Sequence, residues 1–208
     1  DIYWGPSFFF SFLIIILIGN YFVLTNLIAS VLLGIWGFRL GFYLLRRNLN
    51  KLEDIRYVKI REARGNIGLF LTAYLIQIIL IPIVSLPLIS IVEINNNFNT
   101  LLWIGMIIAI LGIIIETIAD IQLANFKANK SNEGKVMNRG LWFYSRHPNY
   151  FGDSLFWWGI TIYCFNISGT FVVFISPIIM TYLLLKVSGV TMLENRLSKK
   201  KDGYKEYI

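Results

Sequence analysis

Two groups of residues in this chain have the types and spacing to do chemistry. Glu116 and Asp120 stand four positions apart inside a long apolar run, so on a helix both project from one face. Lys127, eleven residues beyond Glu116, returns to nearly the same direction. An acidic residue at mid-bilayer costs roughly 2.5–3.5 kcal/mol on insertion scales, so two on one face are expected to turn away from lipid. A face of two acceptors and a cation suits the hydroxyls of a ribose or an adenine amine. The plainer alternative is a pair of structural acids bound to arginines of neighbouring helices.

The second group is the segment Gly140-Leu-Trp-Phe-Tyr-Ser-Arg-His-Pro-Asn-Tyr-Phe-Gly-Asp153, which holds the only histidine of the chain, His147. Pro148 pushes His147 out of helical geometry and suits the first turn of a following helix. Arg146 and His147 are therefore expected at a helix amino end, where free N–H groups and a positive partial charge favour a phosphate. Lys127, Lys135 and Arg139 lie close in sequence, and Gly140 and Gly152 permit close backbone approach. An interfacial aromatic belt with headgroup-binding arginines would account for Trp142, Tyr144 and Tyr150. It leaves the lone histidine before Pro-Asn-Tyr unexplained.

Weaker candidates lie earlier in the chain. Arg39, Tyr74 and Gln77 fall inside apolar spans, where a snorkelling arginine and an interhelical glutamine are the ordinary alternatives. Residues 46–57 form a mixed-charge stretch expected to be a solvated loop, in which Tyr57, beside Arg56, could donate a proton or stack on a base.

The elements that must position these residues are apolar helices. Of 208 residues 56% are hydrophobic and only 15% charged, and the mean hydropathy is +0.63; soluble domains carry about 25% charged residues. The expectation is an all-α integral membrane protein, one domain over residues 1–208, with six spans: 2–19, 21–45, 67–92, 101–126, 150–165 and 170–190. Pro82 and Pro87 predict a kink or break in the third. Basic residues follow the second, fourth and sixth spans, and no Lys or Arg lies in the connections after the first, third and fifth. That alternation places the basic loops and the carboxyl end on the cytoplasmic side, in a bacterial inner membrane or the endoplasmic reticulum. The net charge of +7 is thus assigned to orientation and anionic headgroups rather than to nucleic acid. Cys164 is the only cysteine, which excludes an internal disulfide and a thiolate metal site; no metal and no obligate protein partner is expected.

The long segment 140–153 is similar to the hallmark of the DUF1295 membrane proteins, relatives of the steroid 5-alpha-reductases and sterol C14 reductases. The resemblance continues in Trp36-Gly-Phe-Arg39, in Arg47-Asn with Glu53-Asp54 and Arg56-Tyr57, in Glu116, Asp120, Gln122 and Phe126-Lys127, in Trp157-Trp158-Gly159, and in Val187-Ser-Gly-Val190 with Leu193-Glu194. Asp1 and Trp4-Gly5 look like the start of that family's second helix, which implies a seventh helix ahead of the first in the intact protein. The His-Pro-Asn-Tyr block alone is shared more widely, with isoprenylcysteine methyltransferases among others.

The resemblance implies NADPH bound on the cytoplasmic side. By motif, Asp120 corresponds to an acid that holds the nucleotide, and Glu116 falls where an asparagine does so. Lys127 and Lys135 fall where arginines meet phosphates. Asn149 matches an asparagine near the nicotinamide amide, and Asp153 stands where a glutamate does. Arg139, Tyr144, Arg146, His147 and Tyr150 complete the expected cofactor set. Two departures bear on the substrate: the Gln-Glu pair that meets a steroid carbonyl is missing from Asp1-Ile-Tyr-Trp-Gly, and Ser188–Glu194 lacks the histidines of the family's last helix.

The expected function is an NADPH-dependent reduction of an activated C=C bond in a lipophilic substrate, steroid-like or isoprenoid, that enters from membrane lipid. Trp36, Arg39, Tyr74 and Gln77 are the expected substrate lining, and Asp1, Tyr43 and Tyr57 the candidate proton donors. An S-adenosylmethionine-dependent methyltransferase of the isoprenylcysteine type is the alternative enzyme. A lipid-binding or assembly subunit is the alternative without catalysis.

Overall fold

The computed structural model describes residues 2–49, 55–92, 99–187, 189–190, 193–194 and 204, and among these there are helices and no strands. The chain forms two compact units, residues 1–93 and 94–208.

The first unit opens with α1 (Trp4–Gly19) and α2 (Leu24–Asn48). Asn20 closes α1 in the left-handed conformation (φ 55°), its N–H donating to the Ile16 carbonyl; a short polar residue tolerates this better than most. The two helices cross with Gly5 against Gly37, where a Cβ on either would stand 2.6 Å from the other's carbonyl oxygen. Trp36 is fully buried, its ring 6.0 Å from that of Phe8. Asn26, also buried, donates to the carbonyls of Tyr21 (3.1 Å) and Val92 (3.0 Å), tying the start of α2 to the end of the unit.

Next comes α3 (Ile55–Phe70), which differs from the expected solvated loop: the helix starts ahead of the apolar span and is broken at Gly65 (φ 67°, ψ −176°). Only glycine enters that backbone region readily. A π-helical turn over 71–75 leads into α4 (Ile76–Val84), followed after Ser85 by α5 (Leu86–Ile89). The expected break is present. Pro82 lies in the last turns of α4, and Pro87 sits in the first turn of α5, where its missing N–H costs nothing.

The second unit is built on α6 (Thr100–Ala128) and α8 (Pro148–Ser168), joined through a 3-10 turn (130–132) and the short α7 (Leu141–Tyr144). Asn99 caps α6 by accepting from the Leu102 N–H at 3.1 Å. Helix α8 outruns the expected span by a turn, because Gly169 (φ 64°) closes it after Ser168 and bonds back to Phe165. The expected last span is divided into a 3-10 turn (171–174), α9 (Ile175–Tyr182) and a π turn (183–187).

Helices α6 and α8 run antiparallel and touch backbone to backbone. A Cβ on Gly112 would lie 2.5 Å from the Phe156 nitrogen, and one on Gly152 would lie 2.6 Å from the Glu116 nitrogen. Gly105, Ala109 and Gly159 extend the same seam. Such small-residue crossings let dispersion and backbone contact hold helices that gain little by burying apolar surface. The outer side of α6 is apolar: Trp103, Ile104, Ile107, Leu111, Ile114, Ile118 and Ile121 are exposed, while Glu116 and Asp120 are buried. That is the reverse of a water-facing helix. Among the described residues two helices, α2 and α6, are long and apolar enough to cross a bilayer, a feature consistent with association with membranes.

Candidate functional site

The site in the second unit is assembled where α6 meets the amino end of α8. Glu116 and Asp120 are 3% and 4% exposed. Glu116 is backed by Gly152, whose absent side chain lets the two backbones meet. Asp120 Oδ1 accepts from Asn149 Nδ2 at 3.3 Å. A carboxylate has no proton to give, so this contact fixes which end of the Asn149 amide faces it. The other end, Asn149 Oδ1, is a buried acceptor with no hydrogen-bond partner among the described residues. Asp153, one turn further along α8, is also buried.

The linker ahead of α8 is fastened to α6 by two bonds. Trp142 Nε1 donates to the Ala119 carbonyl at 3.0 Å, and the Leu141 N–H donates to Gln122 Oε1 at 3.0 Å. Gly140 (φ 60°) passes so near the Gln122 amide that a Cβ would collide with it. His147 then caps α8 in a non-helical conformation (φ −142°, ψ 61°), with Pro148 opening the first turn. This agrees with the geometry expected from the His-Pro step. Ser145 Oγ accepts from the His147 N–H at 3.3 Å.

The His147 ring is buried and stacked on Tyr150, centroids 5.5 Å apart and planes 11° from parallel. Glu194 Oε1 lies 3.3 Å from His147 Nε2 and 2.8 Å from Arg146 Nη1. Burial lowers the His147 pKa below its ordinary value, the neighbouring Arg146 adds to that, and Glu194 opposes both. The neutral ring therefore donates from Nε2 to Glu194 and leaves Nδ1 as acceptor.

Of the expected cofactor set, Glu116, Asp120, Arg146, His147, Asn149, Tyr150 and Asp153 line this junction. Lys127, Lys135 and Arg139 are exposed beyond it. Tyr144 is 85% exposed, in edge contact with Phe143. The expected substrate and proton-donor residues belong to the first unit. Trp36 is sealed between α1 and α2, Gln77 is half-buried on α4, and Tyr74 is exposed and tilted on Phe70. Arg39 and Tyr43 follow Trp36 on one face of α2, with Arg47 over the Tyr43 ring at 5.9 Å. Tyr57 is half-buried on α3, and Asp1 lies outside the described residues. Among the described residues no group of three or more His, Cys, Asp or Glu side chains is placed to hold a metal ion. Glu194 had no role in the sequence beyond its place in the resemblance; it is 47 residues from His147, and no spacing rule connects them.

Residues 1–208 match the family described as Protein of unknown function (DUF1295). The chain belongs to the DUF1295 family. No curated protein and no solved structure matches it.

Proposed function

We propose that this DUF1295 protein is a multi-pass membrane reductase that uses NADPH to reduce an activated C=C bond in a lipophilic, steroid-like or isoprenoid substrate. The lipid setting is supported by α6, which exposes isoleucines and buries acids. With the basic stretches on one side of the expected spans, the α6–α8 junction faces the cytoplasm.

The observation that carries the cofactor is Asn149. Its amide is oriented by Asp120, and its buried oxygen has no partner among the described residues. That oxygen suits the N–H of a carboxamide such as that of nicotinamide. Glu116 and Asp120 offer carboxylate acceptors to ribose hydroxyls or an adenine amine, and the exposed Lys127, Lys135 and Arg139 offer charge to phosphates. Bound there, NADPH would supply the hydride; the chain's part is to orient the carrier and to polarise the acceptor carbonyl.

The test is thermal unfolding of detergent-purified protein titrated with NADPH and, separately, with S-adenosylmethionine. NADPH should stabilise it. Asp120→Ala removes a charged hydrogen-bonding partner worth about 1.5–3 kcal/mol, so NADPH affinity should fall about 10- to 100-fold. Stabilisation by the methyl donor alone would replace the reductase with a methyltransferase. An Asp120→Ala protein that is folded and binds NADPH normally would remove the site.

A further inference from the structure

Arg146, at the amino end of α8, has a partner almost fifty residues further along the chain. Glu194 meets it through a single oxygen, Oε1, at 2.8 Å, and the same oxygen receives His147 Nε2 at 3.3 Å. Sharing one oxygen between two donors forgoes the two parallel bonds that make an arginine–carboxylate pair strong. The Arg146 side chain is 40% exposed and that of Glu194 21%, so water and solutes reach the pair, and exposed pairs of this kind contribute little.

The other residues of the junction have supports of their own. The His147 ring is stacked on Tyr150, Asn149 is bonded to Asp120, and Trp142 is bonded to α6. Burial keeps the imidazole neutral, so losing the carboxylate leaves no stranded charge. Beside Glu194, the Leu193 N–H bonds the Gly189 carbonyl at 3.1 Å. The α8 side thus has several bonds of its own, whereas Glu194 meets it through one shared oxygen. It places a carboxylate on the guanidinium that a phosphate at this helix end would use.

We propose that Glu194 is a displaceable internal anion: it neutralises Arg146 in the free protein and yields it to a phosphate group of the ligand, setting the affinity of the site for anions. The identity of that anion as a nucleotide phosphate rests on the function proposed above; the exchange itself does not.

The experiment compares wild-type full-length protein in detergent with Glu194→Gln, which keeps the size and an acceptor oxygen but removes the competing charge. Inorganic pyrophosphate, NADPH and phosphatidate are titrated in separate arms. Removing the internal competitor should tighten pyrophosphate binding about five- to tenfold; unchanged or weaker binding overturns the exchange. If NADPH fails to bind either protein while pyrophosphate tightens, the nucleotide assignment falls and the exchange stands. If NADPH binds both equally and pyrophosphate does too, the reverse holds. Tightening for phosphatidate but not NADPH assigns the anion to a lipid headgroup. A second measurement needs no variant. Amide exchange at Leu193 in the wild-type protein should quicken on saturation with pyrophosphate, because the turn loses its anchor; protection there means that Glu194 stays in place and refutes the proposal.

Discussion

Replacing Gly112 by alanine tests the helix pair on which the whole candidate site depends. Its Cβ would arrive 2.5 Å from the Phe156 nitrogen, 2.7 Å from the Gly152 carbonyl oxygen and 2.8 Å from the Phe156 Cα. All three are main-chain atoms of α8, so no flexible side chain can move aside. Reaching ordinary contact at 3.4 Å requires the helices to part locally by about 0.9 Å. Overpacking of this kind costs about 1–3 kcal/mol, and rigid backbone on both sides puts Gly112 near the upper figure. Alanine returns about 1 kcal/mol through its better helix propensity. The net loss is about 2 kcal/mol, which for a chain of this size lowers Tm by about 4–8 °C. The assay is thermal unfolding in detergent by intrinsic fluorescence, with Ile114→Ala on the exposed face as the reference. Because Glu116 lies one turn beyond Gly112, NADPH binding should weaken together with stability. A Gly112→Ala protein as stable as the reference, or more stable, would show that α6 and α8 do not approach as described, and the placement of Glu116 and Asp120 would fall with it.

Three further outcomes follow from single residues. With the His147 pKa held below its unfolded value, the unfolded chain binds more protons in that interval. Stability should be full above about pH 6.5 and decline as the pH falls through the unfolded value toward the lower folded one; His147→Gln should flatten a Tm profile taken from pH 7.5 to 5. Trp142→Phe removes the buried bond to the Ala119 carbonyl, at about 1 kcal/mol and about 2–4 °C of Tm, and by loosening the linker should speed trypsin cleavage at the already exposed Arg139. Unchanged stability and digestion would show that the linker is not anchored there. Ile114→Lys puts a charge on the exposed apolar side of α6, at roughly 2.5–3.5 kcal/mol if lipid covers it. The fraction of protein resisting carbonate extraction from membranes should fall, and full retention would mean that lipid does not meet this face.

The helical class was legible because long apolar runs of this sequence have no alternating pattern and few charges. The helix ends were legible where single residues dictate backbone geometry: Pro148 opens α8 and Pro87 follows the break at Ser85. Spacing also placed Glu116 and Asp120 on one face, and both are buried. What the sequence withheld is mostly long-range. Charge pattern suggested a loop before residue 67, but helix propensity in Ile55–Arg64 prevails until Gly65 interrupts it. The register of α6 on α8 depends on which glycines face each other, and the scattered glycines of α6 alone do not name Gly152 and Gly159 as their partners. The contact of Glu194 with Arg146 and His147 joins residues almost fifty positions apart through a segment with no periodic pattern at all.

The seam and the site share one helix face. Gly105, Ala109, Gly112, Glu116 and Ala119 recur at helical spacing along α6, and their opposite numbers on α8 descend from Tyr163 through Gly159 and Phe156 to Gly152. The same close approach that excludes side chains in the middle brings the turns of α6 that carry Glu116 and Asp120 against the first turns of α8. There backbone contact at Glu116 and Gly152 gives way, one turn on, to the Asp120 carboxylate and the Asn149 amide. At a rise of about 1.5 Å per residue, Gly159 lies about 10 Å along α8 from Gly152. A side chain inserted that far away would act on Asp120 and Asn149 through helix separation alone. The glycine seam supplies the close backbone contact between the helices, and the Asp120–Asn149 bond adds a polar one near the start of α8. Among the described residues the Asn149 Oδ1 atom, buried beside these carboxylates, has no hydrogen-bond partner, and it is the atom on which the proposed carboxamide contact depends.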